Sequence, residues 1–510
     1  MKLAILAVLI LGSLAPLSVA QEAFVGETLI SPRTSTESFL LDLEFNITKT
    51  WHGASLPAGF AYLLPDGSIL RPCADESATW GAGGAGGRIQ KVDANDIVVW
   101  DVLFSDSLRL QHHDVEPMPN GNVLLIAWER KTQAEADSAG RVSPLPIGEA
   151  WPTLIVELEP VGATGANIIW EWHLWDHLIQ DADSTKDNYG VIADHPELLD
   201  INYPPAPNGS FDHANAIDYN PQLDLIVYSG RAVHEFYIID HSTTTAEAAG
   251  HTGGNHGKGG DILYRWGNPE IYHRGTADDR YYFGVHGANW IDPGLPGAGG
   301  ILTFNNGNRP GGANDYSSVE DIHPPMDGNG HFVILPGQPY GPSAPAWAYE
   351  DPPGFYSQNK GGAFRMPNGN TLICESNDNK LFEVTDAGVK VWAYSTPGEL
   401  HRAPRYWDDV TAVAETLEPY AHLGQNYPNP FNPQTTIAFE LAVPGRVILE
   451  VFDISGRLVV TLVDGELGAG PHDVTWNGRD RNRRPVSSGV YFYRLSAPGG
   501  TQRGKMVLTK

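Results

Sequence analysis

Three histidines and one arginine in this chain have the types and spacing to do chemistry together. The histidines lie in Gln111-His112-His113-Asp114, Phe211-Asp212-His213-Ala214-Asn215 and Val285-His286-Gly287-Ala288-Asn289. His113 and His213 each stand seven residues before an asparagine, Asn120 and Asn220, in a turn that precedes an apolar run. That shared spacing places them at the start of equivalent strands, with His286 heading a third. A neutral imidazole is a competent nucleophile near neutral pH, a proton carrier and a metal ligand. Arg231 follows Val227-Tyr228-Ser229-Gly230. A guanidinium keeps its charge and offers a planar fork of donors that fits sulfate or phosphate oxygens. Histidines beside one fixed cation suit the transfer of an anionic group through a covalent intermediate. Two other uses of the same residues stay open: three inward imidazoles could hold a transition metal, or the surface could bind carbohydrate or protein without catalysis.

The elements that must position these side chains repeat along the chain. One unit is a turn followed by an apolar run, as in Leu64-Pro65-Asp66-Gly67-Ser68-Ile69-Leu70, Met118-Pro119-Asn120-Gly121-Asn122-Val123-Leu124 and Met366-Pro367-Asn368-Gly369-Asn370-Thr371-Leu372. Asp-Gly and Asn-Gly pairs are hairpin turns. The other unit is a short strand pair with a tryptophan near its end, at Trp100, Trp170, Trp266 and Trp392. Four strands per unit make a propeller blade. Inner hairpins begin near Gly59, His113, His213, His286 and Gly362, and a sixth blade is split between Phe39–Trp51 and His401–Tyr406. Pairing the chain ends would close the ring and remove exposed edges. The expected fold is all-β: a six-bladed β-propeller followed by a small Ig-like β-sandwich. Equivalent positions at the start of inner strands converge on the axis, which would gather the histidines. Residues Thr243 to Gly260, rich in Gly, Thr and His, read as an insertion and a mobile loop.

Composition sets the limits on function. The 510 residues carry 33 Lys and Arg against 61 Asp and Glu, a formal charge of -28, which argues against nucleic acid because phosphate contacts need a basic footprint. An anionic substrate must find a local positive pocket. There is no GxxxxGK[ST] loop and no G-x-S-x-G elbow, which disfavours a nucleotide sulfate donor and a serine hydrolase. No cofactor is called for. Met1-Lys2, the apolar run Leu3–Leu11 and Ser18-Val19-Ala20 form a signal peptide over 1–20. No later stretch is long and apolar enough to span a bilayer. Cys73 and Cys374 allow either a disulfide or two separate buried thiols.

Beyond residue 409 the character changes to Leu423-Gly424-Gln425-Asn426-Tyr427-Pro428-Asn429-Pro430-Phe431-Asn432-Pro433 and alternating strands such as Val447-Ile448-Leu449-Glu450-Val451-Phe452-Asp453. With Trp476-Asn477-Gly478 and Ser488-Gly489-Val490-Tyr491-Phe492-Tyr493, this resembles the FlgD-like, Ig-like sorting domains of the type IX secretion pathway. The chain then divides into a propeller over 36–409, a linker over 410–424 and, as the resemblance implies, a sorting domain over 425–510. The resemblance further implies a partner in the type IX secretion machinery and passage through the periplasm to the cell surface or beyond.

The segments His113–Glu129, His213–Asp240, Leu263-Tyr264-Arg265-Trp266-Gly267-Asn268-Pro269, His286, Phe304-Asn305-Asn306-Gly307 and Tyr316-Ser317-Ser318-Val319 resemble the bacterial arylsulfate sulfotransferases across residues 36 to 407. That resemblance implies a PAPS-independent enzyme that moves a sulfuryl group from an aryl sulfate to a phenolic acceptor by a ping-pong route through a sulfohistidine. By position, His286 would be the nucleophile. His213 and Arg231, eighteen residues apart as in the family pattern, would bind the sulfuryl oxygens. His113 would complete the pocket and share acid and base work with His213. His113 is preferred to His112 because it has the repeat register.

Overall fold

The computed structural model describes residues 22–203, 208–312, 315–328, 330–407, 421–441, 445–453, 457–468, 470–481, 483–497 and 500–509. The expected signal peptide and residues 410–420 of the expected linker lie outside them.

Six four-stranded antiparallel sheets form the first unit. Their innermost strands are, in chain order, Tyr62–Leu63, Arg109–Pro117, Ala214–Asn220, Val285–Trp290, Gly362–Arg365 and Arg405–Tyr406. These are the blades of a β-propeller, numbered here from the first to the sixth. The turns do what their residues dictate: Gly121 and Gly369 sit at φ +88° and +87°, a conformation that costs glycine nothing. Blades bury alternate side chains against their neighbours. Leu70 and Ile89 of the first, for example, pack in one cluster with Val115, Leu125 and Leu154 of the second. Each such side chain contributes roughly 1.5–3 kcal/mol by leaving water.

The sixth blade closes the ring with strands from both ends of the propeller region. Arg405–Tyr406 pairs with Glu27–Ile30, and Glu37–Leu41 and Ile47–His52 complete the sheet. The strand Glu27–Ile30 precedes the stretch in which the repeat was legible. A fully buried Arg405–Glu383 ion pair fixes the joint, with Arg405 Nε also donating to Thr28 Oγ1 at 3.0 Å. The outermost strand of the fourth blade, Trp347–Glu350, follows a loop of more than twenty residues after Ser318–Ile322, which hid it from the repeat pattern.

Residues 243–260 are folded rather than loose. Thr244 and Glu247 form a capping box on the short helix Thr245–Ala248, and Ala248 is fully buried. Cys73 and Cys374 are separate buried thiols, not a disulfide. Burial pushes both up, Cys374 to about 12.

The second unit is a sandwich. One sheet holds Ala421–Leu423, Thr435–Leu441 and Gly470–Trp476; the other holds Leu458–Leu467, Gly445–Asp453, Gly489–Ala497 and Gly500–Leu508. Phe431, Phe439, Leu449, Trp476, Tyr493 and Met506 fill the space between them. Its first strand, Ala421–Leu423, falls inside the stretch expected to be linker.

Candidate active site

A β-bulge opens the inner strand of the second, third and fourth blades, between Gln111 and Val115, Ala214 and Ala216, and His286 and Asn289. Bulges re-aim side chains at sheet ends and beside active sites. Here each contains or adjoins one left-handed residue: His113 at φ +54°, His213 at +55° and Gly287 at +63°. His113 and His213 therefore share a register, as their spacing predicts. His286 does not; it stands one residue earlier. The asparagines two residues past the left-handed position confirm the alignment, since Asn215 Nδ2 donates to Val285 O and Asn289 Nδ2 to Ala363 O, each on the next blade.

His113 and His213 nevertheless meet, and His286 lies within electrostatic reach of both. The rings of His113 and His213 lie 5.1 Å apart at 71°. His112 is turned away, fully buried and stacked 4.0 Å from Trp128, with its Nδ1 2.9 Å from His113 Nδ1. Room for the ring of His113 comes from Gly84, at φ +89°, where a Cβ would lie 2.1 Å from His113 Cε1. Gly84→Ala should therefore displace His113 and strain the loop by about 1–3 kcal/mol. If His113 works in this site, the displacement should lower kcat/KM by roughly 10²-fold, measured alongside the melting temperature.

The best-defined group is His286. Its Nδ1 lies 2.5 Å from Asn306 Oδ1. The Asn306 amide cannot turn over, because Nδ2 donates to the carbonyls of Ser357 and Lys360 at 2.8 and 2.9 Å. Oδ1 must accept, so the neutral His286 carries its proton on Nδ1 and presents a lone pair at Nε2. Among the described residues that lone pair accepts from the Lys360 backbone N–H, at 3.3 Å.

Electrostatics keep these rings neutral. Burial, then the charge of Arg231, pushes His286 well below its ordinary value against the opposing bond to Asn306, and His213 and Lys360 push it further. Burial and Arg231 take His213 to about 3. Burial also depresses His113, followed by His213, His112, His401 and His286. Arg231 is half-buried; its backbone N–H donates to His213 O at 3.0 Å, and its side chain makes no ion pair among the described residues. The neighbouring cations differ. Lys360 is held by Glu399 at 2.7 Å, and Arg402 by the buried Asp114. An acidic protein thus places a guanidinium that has no ion-pair partner among the described residues within electrostatic reach of two neutral imidazoles.

Sequence reasoning missed Asn306, Lys360 and His401. His401 is a further buried imidazole, four residues before the sixth inner strand, and its Nε2 finds no partner among the described residues. Its position at a blade start was the available signal. Asn306 lay within a segment already singled out, but nothing in the sequence pairs it with His286.

Comparison with known proteins gives the following. The family described as arylsulfotransferase (ASST) matches residues 75–320, and the FlgD Ig-like domain family matches residues 427–500. Both domains are present in this chain. Over 70 residues the chain is 40% identical to the basal-body rod modification protein FlgD of Salmonella typhimurium and of Salmonella typhi, covering 13% of this chain and 30% of each relative. The chain therefore spans under a third of the length of these curated relatives. Among solved structures, it is similar to a protein of unknown function from Bacteroides caccae, at 10% identity and a TM-score of 0.41 over 76% of this chain and all of that one. It is also similar to virginiamycin B lyase from Staphylococcus aureus, at 10% identity and a TM-score of 0.34 over 74% of this chain and 88% of that one.

Proposed function

We propose that the propeller is an aryl-sulfate sulfotransferase that works by two displacements through a sulfated His286. The observation that carries this is the Nε2 lone pair of His286, fixed by Asn306, within electrostatic reach of Arg231, which has no ion-pair partner among the described residues. The arylsulfotransferase domain match over 75–320 supports the reaction class. In the first step Nε2 attacks sulfur, the new S–N bond forms as the aryl S–O bond breaks, and the phenolate departs. In the second, an acceptor phenol passes its proton to the neutral imidazole of His213 or His113, which releases it to solvent, as the phenol oxygen takes the sulfuryl group and returns the electron pair to Nε2. Sulfuryl transfer resembles phosphoryl transfer in needing mainly alignment and charge stabilisation on the peripheral oxygens. Arg231 supplies the charge, and His213 and His113 supply N–H donors.

One expected role changes. The acid work shared between His113 and His213 would need an imidazolium to protonate the leaving phenolate, but His213 is held to about 3 and His113 well below its ordinary value. In the free enzyme both are neutral at pH 7, so the departing oxygen relies on its own acidity and on Arg231. The FlgD-like unit and the expected leader suggest export, with the type IX machinery as partner and the cell surface or exterior as destination.

The test is turnover of a chromogenic aryl sulfate by the purified protein, with and without added phenol. Acceptor-stimulated release supports the proposal; no release across donors of differing leaving-group acidity rejects it. A pH profile adds a second check. Because His286 loses its proton well below the ordinary imidazole value of about 6.5, its acid limb should lie below that pH. Asn306→Ala removes the bond that opposes the depression of His286 and should move that limb to still lower pH. An unmoved limb would separate Asn306 from the nucleophile.

A further inference from the structure

Away from the axis, the segment leaving the second blade meets the 243–260 insertion of the third blade around three side chains. His177 Nδ1 lies 2.9 Å from Asp261 Oδ1, and His251 Nδ1 lies 2.7 Å from the same oxygen. All three atoms fall within 4.8 Å of one another. His177 and Asp261 are buried, while His251 stands on the solvent side.

The hydrogen bonding of His177 defines the problem this cluster poses. Its Nε2 lies 2.8 Å from the carbonyl oxygen of Ala248, which can only accept, so Nε2 carries a proton. In the neutral ring Nδ1 is then a lone pair, and it points at a carboxylate oxygen. Two acceptors face each other at hydrogen-bond distance in a fully buried position unless something positive lies between them. A proton would make His177 a buried imidazolium. A metal ion would satisfy His177, His251 and Asp261 together, and a ligating histidine that donates its other N–H to a backbone carbonyl is the arrangement metal sites use to fix ring orientation. The ring is further held by Trp172, stacked at 5.5 Å and 7°, whose Nε1 donates to Gly260 O at 2.7 Å.

We propose that His177 Nδ1, His251 Nδ1 and a carboxylate oxygen of Asp261 bind a zinc ion, with water at the fourth position on the exposed side, and that the ion staples the insertion to the second blade. Two imidazoles and one carboxylate are a zinc donor set. Metal–ligand bonds of about 2.0–2.1 Å would require the two histidine–Asp261 contacts to open by roughly half an ångström. The insertion gives the ion a purpose. Six glycines lie between Gly250 and Gly260, its helix is only four residues long, and ordering glycine-rich chain is entropically costly. An ion that binds the folded form alone offsets that cost.

The experiment uses the full chain, zinc and the exposed Lys258 inside the insertion. Metal-stripped protein titrated with zinc should bind one equivalent that His251→Ala and His251→Gln bind at least ~10-fold more weakly. Chelation should speed tryptic cleavage at Lys258 about tenfold or more in the wild type, with zinc restoring protection, and should leave cleavage of the His251 variants unchanged. His251 is exposed, so these variants should fold. Equal zinc binding by wild type and variants, no zinc binding, or cleavage at Lys258 that ignores chelator and zinc would each overturn the proposal. None of these outcomes depends on sulfotransferase activity.

Discussion

Alanine in place of His286 is expected to lower aryl sulfate turnover by roughly 10⁴-fold or more, the scale seen when a covalent nucleophile is removed. The melting temperature should change by only a few degrees. The side chain makes one strong bond, to Asn306, and one long one, from Lys360 N–H, so its loss costs little of the interblade packing. Asn306 stays anchored through Nδ2 to Ser357 and Lys360, which preserves the site for comparison. Residual turnover near wild type would place the nucleophile elsewhere, with His213 and His113 as the remaining candidates in contact. Their depressed protonation leaves both chemically competent, so the substitution decides between geometry and mere proximity.

The second large effect is expected at Arg231, where activity and stability should move in opposite directions. Its guanidinium is half-buried, pushed below its ordinary value by burial, and without an ion-pair partner among the described residues. Such a charge costs folding energy that an apolar side chain of similar length would not. Arg231→Met should therefore raise the melting temperature while lowering kcat/KM by roughly 10²–10³-fold, the range for losing one preorganised donor to developing charge. Arg231→Lys should recover only part, because a point charge does not reproduce the planar fork. If Arg231→Met loses stability and activity together, Arg231 is a structural strut and the anion pocket is misassigned.

The propeller was legible because its signals are local. Asn-Gly and Asp-Gly turns, apolar runs and closing tryptophans each report a hairpin without help from distant chain. Where a blade departs from that cadence the sequence is silent, as with Trp347–Glu350, which returns to its sheet after a long loop. Closure of the ring could be inferred from two half-blades, but the strand Glu27–Ile30 carries no turn signal and emerges only through its pairing with Arg405–Tyr406.

The site was legible to the level of residue type and less so in geometry. A seven-residue spacing aligned His113 with His213 correctly. It could not show that in the fourth blade Gly287 takes the left-handed position and His286 precedes it, because that assignment depends on backbone dihedrals. Protonation was likewise out of reach. Acid work by His113 and His213 presumes a solvent-like environment, whereas burial, with Arg231 at His213, depresses both rings. The insertion at 243–260 shows the same limit, since its composition suggests mobility while its order comes from a capping box and contacts to His177, a residue far away in sequence.

The most direct measurement is intact mass after brief exposure of the wild type and His286→Ala to an aryl sulfate without acceptor, followed by peptide mapping. One added sulfuryl group is expected on the wild type, located on His286, discharged by phenol and absent from the variant. A stable wild-type protein that turns over aryl sulfate without ever carrying the adduct, or carries it on another residue, would contradict it.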